Sequence, residues 1–143
     1  MESTASQTVG PFFRIGLSWL NGTGTGAADV VVRGRVIDGV GQPVPDAMLE
    51  IWQPGGGFCR VPTGTDGGFR FTSGRVPHLV VLIFMRGLLR HLMTRVYFPG
   101  SGDSVLQLVP EERRPTLMAR EAGGELEWNV VLQGENETIF FEV

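Results

Sequence analysis

Few side chains in this sequence have the chemistry of a catalytic base, a nucleophile or a metal ligand. The chain of 143 residues has two histidines, His78 and His91, one tyrosine, Tyr97, and one cysteine, Cys59. His78 lies near the start of the apolar run VPHLVVLIF, residues 76–84, where it could be a metal ligand, a catalytic base or a core residue. Two ligands on one face of a strand stand two residues apart. The position that pairs with His78 in this way is Val80, which has no donor atom.

Common hydrolytic and zinc sites are not supported by these residues. The sequence contains no Gly-x-Ser-x-Gly turn that would present a serine nucleophile. The two histidines are thirteen residues apart, which matches no recognised zinc-ligand spacing. His91 follows Arg90 before an apolar segment, so a solvated or backbone-bonded histidine is the simpler interpretation. Paired carboxylates remain open, but surface charge is favoured for the glutamates in polar segments, namely Glu111, Glu112, Glu135 and Glu137.

Composition places the chain among ordinary globular proteins. It is 42% hydrophobic and 19% charged with a net charge of -3, which argues against a nucleic-acid partner because phosphate binding requires a basic face. We expect one domain over residues 1–143. A single cysteine allows no internal disulfide, and neither a signal peptide nor a membrane-spanning run is found, so we expect a cytoplasmic protein without a membrane partner.

Short apolar segments alternate with turns rich in glycine and proline. Alternation of apolar and polar residues predicts strands in VVVRGRVID, AMLEIWQ, GGFRFT, TRVYF and LEWNVVLQ. In the last of these, Leu126, Trp128, Val130 and Leu132 are predicted to point inward. HLVVLIF, residues 78–84, is apolar on both faces, which indicates a central strand buried on both sides. TIFFEV is predicted to be the seventh strand.

Seven short strands separated by turns predict an all-β fold, an antiparallel β-sandwich. One short helical segment is expected in VPEERRPTLMARE, residues 109–121. Pro110 suits the first position of a helix, and the two glutamates after it favour the positive helix end. Pro115 limits how far a regular helix can continue.

Five segments, in this order, resemble alpha subunits of the protocatechuate 3,4-dioxygenase family of intradiol ring-cleavage dioxygenases. The segments are SQTVGPFFRIGLSW, VVVRGRVIDGVGQPVPDAMLEIWQ, FMRGLLRHLMTRVYFPG, LVPEERRPTLMAR and VLQGENETIFFEV, which together cover most of the chain. The resemblance implies a prealbumin-like β-sandwich and an alpha-beta hetero-oligomer. It further implies cleavage of 3,4-dihydroxybenzoate by O2 to 3-carboxy-cis,cis-muconate, a step of aromatic catabolism in the beta-ketoadipate pathway.

The resemblance also implies a ferric iron held by two tyrosines and two histidines, a donor set that suits a hard cation. With a single tyrosine, Tyr97, this chain cannot complete such a site. We therefore expect no catalytic residue and no bound cofactor here, and we expect the Fe(3+) in the beta subunit. His78 is then interpreted as a structural residue hydrogen-bonded near a buried strand end, and Tyr97 as an inward or interface aromatic.

By the same resemblance, residues 1–20 form an N-terminal arm over the iron pocket of the beta subunit. Thr8, Gly10, Pro11 and Phe12 match the part of the arm that lines the substrate side. Gly10 permits close backbone approach, Pro11 fixes the chain direction and Phe12 offers an aromatic wall. Arg86 matches an arginine near the pocket mouth, where a guanidinium can hold the substrate carboxylate. The alternatives are an arm that only packs on its partner and a solvated strand-end arginine.

The chain departs from this family by being shorter. The cuts follow Trp19, follow Gln53 and precede His78, and all of them fall in loops, where deletions spare the strands. The leading hypothesis is a metal-free alpha subunit that completes the pocket of a beta subunit. The alternative is a stand-alone β-sandwich module for binding or assembly without dioxygenase activity. A self-sufficient dioxygenase is disfavoured by the shortage of ligands.

Overall fold

The computed structural model describes residues 24–26, 29–88 and 90–141, which form two β-sheets and two short helical segments. In chain order the strands are β1 (Val30–Ile37), β2 (Met48–Trp52), β3 (Phe58–Pro62), β4 (Gly68–Ser73), β5 (His78–Phe84), β6 (Leu92–Tyr97), β7 (Arg120–Ala122), β8 (Glu125–Glu127) and β9 (Val130–Val131). Between β6 and β7 lie a one-turn helix, α1 (Ser104–Gln107), and a 3-10 helix (Glu111–Leu117). No helix in these ranges is both long and apolar enough to cross a membrane.

The two sheets have different pairing. The first sheet has the order β4-β1-β8-β7 with β9 also paired to β1, and the second has the order β3-β2-β5-β6. All pairs in the second sheet are antiparallel, whereas β1 pairs with β8 and β9 in parallel. Two parallel strands need a long connection between them. Here the connection from β1 to β8 contains all four strands of the second sheet. The predicted all-β sandwich is confirmed, but its first sheet is mixed rather than purely antiparallel.

The core lies between the sheets and is filled by alternate residues of each strand. β1 contributes Val32 and Val36, and β2 contributes Leu49 and Ile51, as their sequence alternation predicts. β4 adds its two phenylalanines, and β5 adds Leu79, Val81 and Ile83, all of them buried in one apolar cluster. Removing this apolar surface from water is the main favourable contribution to the fold.

The segment LEWNVVLQ is interrupted where it passes β1, so the prediction of one continuous strand is wrong. The amide of Trp128 donates to the carbonyl of Arg33 at 2.9 Å, and the amide of Arg35 donates to Oδ1 of Asn129 at 3.0 Å. The carbonyl oxygen of Trp128 comes so close to Gly34 that a Cβ there would stand 1.6 Å from it. Leu126, Trp128 and Val130 are nevertheless buried as predicted, and Leu132 is partly buried against the core.

Three further predictions differ from the structure. β3 was not predicted, and the described part of TIFFEV, residues 138–141, contributes one isolated bridge, between Phe141 and Met93, rather than a strand. The helical segment is a 3-10 helix that contains Pro115, and Pro110 is its N-cap rather than its first residue. β5 is central in its sheet, but only one of its faces is fully buried among the described residues.

Trp128 tests the packing between the sheets. It is 3% exposed, its ring packs edge-on against Phe69 at 6.2 Å, and its Nε1–H donates to the carbonyl of Thr116 at 3.0 Å. We expect Trp128→Ala to lower the free energy of unfolding of the full chain by about 3–5 kcal/mol in urea titrations, because it leaves a large cavity. Trp52→Ala is the control, with a smaller loss because Trp52 is 42% exposed. Equal losses in the two variants would contradict the assigned orientation.

Candidate functional site

The residues proposed for the partner's pocket fall into two groups. Thr8, Gly10, Pro11 and Phe12 lie outside the described residues. Arg86 lies two residues after β5, with its side chain 59% exposed and its Nη1 3.8 Å from Oδ2 of Asp46. That distance is too long for a hydrogen bond, and an exposed ion pair of this kind contributes little to stability. The guanidinium of Arg86 is therefore accessible to another carboxylate.

A cluster of polar side chains occupies one end of the paired strands β5 and β6. The strand register sets His78 opposite Tyr97, with the ring centres 5.4 Å apart. The hydroxyl of Tyr97 donates to Oδ1 of Asp103 at 2.8 Å, and Nη1 of Arg95 donates to Oδ2 at 3.1 Å. Asp103 also caps α1 by accepting from the amide of Leu106 at 3.0 Å. The carboxylate of Asp103 thus joins the sheet to the helical segment.

His78 lies beside this cluster but is too far from Asp103 for a hydrogen bond. Its Nδ1 is 3.9 Å from Oδ2 of Asp103, which is longer than a hydrogen bond, and its side chain is 18% exposed. The pKa of His78 is lowered, chiefly because the imidazole is buried and further because the positive charge of Arg95 is near. The negative charge of Asp103 raises this pKa, but by less. The largely buried imidazole is consistent with the structural role expected from the sequence. The expected hydrogen bond is not formed with Asp103, because Nδ1 and Oδ2 are 3.9 Å apart.

Hydrogen bonds and burial fix the protonation states of the other two titrating groups. The pKa of Asp103 is lowered, chiefly by the amide of Leu106 and further by the hydroxyl of Tyr97 and the charge of Arg95. Burial is the largest cause that raises the pKa of Tyr97. The phenol is therefore kept protonated as a donor, which is the opposite of what a phenolate metal ligand requires.

The donor set of this chain does not fit a ferric centre of two tyrosines and two histidines. The single tyrosine donates to Asp103, and Val80 takes the place of a second histidine beside His78. The ring of His91 lies 5.3 Å from that of Phe84, at the other end of β5. Across the described ranges, no group of three or more His, Cys, Asp or Glu side chains is placed to hold a metal ion.

Asp103 and Arg95 were missed by the reasoning from sequence. A usable signal was present for Asp103, because an aspartate before SVLQ is a typical helix N-cap. Arg95 gives no such signal, since an arginine in an alternating strand is normally a solvated residue. The turn that follows β6 brings Asp103 back to Arg95, eight residues earlier in the chain.

Solved structures of dioxygenases share this fold. The dioxygenase domain of a dioxygenase–carbohydrate-binding fusion from Streptomyces sp. SirexAA-E superposes with a TM-score of 0.56 at 23% identity, over 78% of this chain and 85% of that one. An intradiol ring-cleavage dioxygenase from Tetranychus urticae gives 0.57 at 13% identity, over 78% and 86%. At such identities the likeness concerns the fold alone. The chain has the β-sandwich fold of intradiol dioxygenases.

Sequence relatives identify the family more closely than the fold does. The protocatechuate 3,4-dioxygenase alpha chain of Burkholderia cepacia is 36% identical over 100% of this chain and 98% of its own length. The alpha chain of Pseudomonas putida is 29% identical over 99% and 97%. The chain therefore belongs to the family of protocatechuate 3,4-dioxygenase alpha chains and is a subunit of a dioxygenase. No family model matches the sequence.

The relatives include a longer alpha chain and a second kind of subunit. The alignment with the Burkholderia alpha chain spans 194 positions although this chain has 143 residues, so part of that relative has no counterpart here. The protocatechuate 3,4-dioxygenase beta chain of Burkholderia cepacia is 28% identical over 76% of this chain and 66% of its own length. Separately named alpha and beta chains indicate an alpha-beta hetero-oligomer in this family.

Because the pKa of His78 is lowered, the free energy of unfolding should depend on pH. The folded chain binds fewer protons at His78 than the unfolded chain does, so we expect the free energy of unfolding to rise between about pH 5 and pH 7. Asp103 and Glu127, whose pKa values are lowered, lose their stabilising effect only at lower pH. His78→Gln should flatten the slope measured in urea titrations.

His91→Gln is the matched control for the loss of an imidazole at the other end of β5. An unchanged slope in His78→Gln would contradict the assignment of this pH dependence to His78.

Proposed function

We propose that this chain is the metal-free alpha subunit of a protocatechuate 3,4-dioxygenase and that it completes the substrate pocket of a beta subunit that holds Fe(3+). One observation carries the proposal. The only phenol of the chain, Tyr97, donates to Asp103, in a sequence whose full-length relatives are alpha chains. A chain that cannot supply the metal ligands can serve the reaction by shaping a site whose ligands lie on its partner.

The proposed reaction opens the ring of 3,4-dihydroxybenzoate between the two carbons that bear hydroxyl groups. Both atoms of O2 enter the product, 3-carboxy-cis,cis-muconate, in which the two ring carbons have become carboxylates. The names of the full-length relatives support this substrate. The resemblance described above supports the proposal that the reaction is a step of aromatic catabolism in the beta-ketoadipate pathway. The ring opening itself belongs to the partner's centre, and this chain contributes binding and shape.

The proposed pocket contribution of the arm, residues 1–20, comes from Thr8, Gly10, Pro11 and Phe12. Their positions in SQTVGPFFRIGLSW support it, because these residues match the family's arm in order and spacing. Glycine lets a backbone approach a ligand closely, and proline fixes the direction in which the next residue points. Phe12 then provides an aromatic wall against the ring of the substrate.

Arg86 is proposed to hold the carboxylate of the substrate at the pocket mouth. Its exposure and its long, 3.8 Å contact with Asp46 support this role, because little is lost when the guanidinium changes partner. A guanidinium binds a carboxylate through two parallel hydrogen bonds, which also orients the ring attached to it. The catechol hydroxyls would then point away from Arg86, toward the partner's metal.

A reducing compartment, the cytoplasm, is the proposed location. The single cysteine supports it, because Cys59 is buried and free within the described ranges, and burial raises the pKa of its thiol to about 11. Such a thiol is inert at neutral pH and needs no oxidising environment.

Co-expression tests the proposed function directly. The full chain should be produced with the tagged beta chain of Burkholderia cepacia, purified through the tag, and assayed for loss of 3,4-dihydroxybenzoate and uptake of O2. We expect the two chains to purify together and the complex to cleave the ring faster than the beta chain alone. No complex and no change in activity would leave the stand-alone binding module as the function.

Arg86→Ala tests the pocket role of the arginine in the same complex. Loss of a charge-assisted pair of hydrogen bonds is expected to raise KM for 3,4-dihydroxybenzoate about tenfold or more. Arg70→Ala is the control, because Arg70 is 63% exposed and lies in the first sheet. An unchanged KM in Arg86→Ala would remove this residue from the pocket.

A further inference from the structure

One surface of the molecule breaks the usual pattern of a β-sheet that faces water. The side of the second sheet that points away from the core, called the outer face below, carries exposed or partly exposed apolar side chains from all four strands: Trp52, Phe58, Val80, Leu82, Phe84 and Met93. An antiparallel sheet with a solvated side normally shows polar residues there. A contiguous apolar patch of this kind marks an interaction site.

The most exposed part of the outer face is a pair of stacked aromatic rings. Trp52 and Phe58 are directly opposite in the register of β2 and β3, and their ring centres are 4.5 Å apart at an interplanar angle of 13°. Each is 42% exposed. The turn between them, Gln53–Gly57, is short, so nothing from this turn covers the two rings.

A buried ion pair holds these rings in place. Glu50, 7% exposed, accepts a hydrogen bond from Nε1 of Trp52 at 2.6 Å and another from Nε of Arg60 at 3.0 Å. The guanidinium of Arg60 lies 5.2 Å from the ring centre of Phe58, a cation–π contact. Tryptophan and arginine are the residue types that dominate binding hot spots, and rings fixed before binding lose little entropy in the complex.

Arg86, which the proposed function assigns to the partner's pocket, lies at one end of the outer face. Near the other end, beside the aromatic stack, the hydroxyl of Thr25 donates to Oε1 of Gln53 at 2.8 Å. Arg86 lies just past Phe84, at the opposite end of β5. The six steps from His78 to Phe84 span about 20 Å, so a partner that contacts both the aromatic stack and Arg86 extends along the outer face.

The charges on this side indicate an apolar partner surface. Among the described residues, two carboxylates on this side are already paired, Glu50 with Arg60 and Asp103 with Arg95. The partner therefore needs no cluster of opposite charge, and burial of apolar area supplies the binding energy.

From these observations we propose that the outer face, anchored by the Trp52–Phe58 stack, is the surface that docks on the beta subunit. The proposal rests on the proposed function, because the beta subunit is the partner that both the arm and Arg86 serve. It adds the location of the contact and the residues that dominate it. Weak dependence of binding on salt follows from the internal pairing of the charges.

A binding experiment with the full chain tests the proposal. The double variant Trp52→Ala/Phe58→Ala should weaken binding to the beta chain by at least about thirtyfold, the loss expected for a hot spot. Val40→Ala and Arg70→Ala are the controls, because Val40 is 80% exposed in the turn after β1 and the side chain of Arg70 is 63% exposed in the first sheet. Circular dichroism and the Tm of every variant check that it is folded.

The outcomes separate this inference from the proposed function. If the wild-type chain does not bind the beta chain, the proposed function fails and the docking surface fails with it. If the wild-type chain binds and the double variant binds equally well, the docking surface is wrong while the proposed function stands. Loss of binding in the double variant, with both controls unchanged, supports the proposal.

A photocrosslinking residue in place of Phe58 identifies what covers the outer face. In the mixture of both chains, we expect the crosslink to join this chain to the beta chain. A crosslink to a second copy of this chain, or to its own residues 1–23, would overturn the proposal.

Discussion

The two-residue repeat of β5 is the constraint on which the rest of this structure depends. Because side chains alternate along a strand, Leu79, Val81 and Ile83 fill the core while His78 and Val80 share the other side. The pairing with β6 then sets Tyr97 opposite His78, where Asp103 accepts the phenolic hydrogen. The alternation of β5 and its register with β6 thus contribute to the core of the sandwich, to the cluster around Asp103 and to the apolar outer face.

The sequence allowed most of the framework to be predicted, and the errors have local physical causes. Charged residues mark the outward side of β1 and β2, namely Arg33 and Arg35 in β1 and Glu50 in β2, so the buried sides were clear. β3 follows a glycine run, begins with the exposed Phe58 and ends in a proline, so its pattern was weak. LEWNVVLQ reads as one strand, but the close approach of Trp128 to Gly34 interrupts its pairing, and this contact between distant segments has no signature in the local pattern.

From the sequence, the only part of the candidate site that could be predicted is the part that depends on residue counts. One tyrosine is too few for the ferric centre that the resemblance implies, and this conclusion needs no coordinates. The role of Asp103 depends on the turn after β6, and the stack of Trp52 on Phe58 depends on the pairing of β2 with β3. Alternation specifies neither. A run that is apolar on both faces predicted a doubly buried strand. The missing cover of β5 is instead proposed to be another polypeptide.

The central claim is that the reactive metal of this dioxygenase lies on the partner and not on this chain. The most direct test is the iron content and visible spectrum of the full chain, purified alone from cells grown with added iron. The account predicts iron far below one atom per chain and no tyrosinate-to-iron absorption band. One tightly bound ferric ion per chain, with that band and with cleavage of 3,4-dihydroxybenzoate by the chain alone, would contradict it.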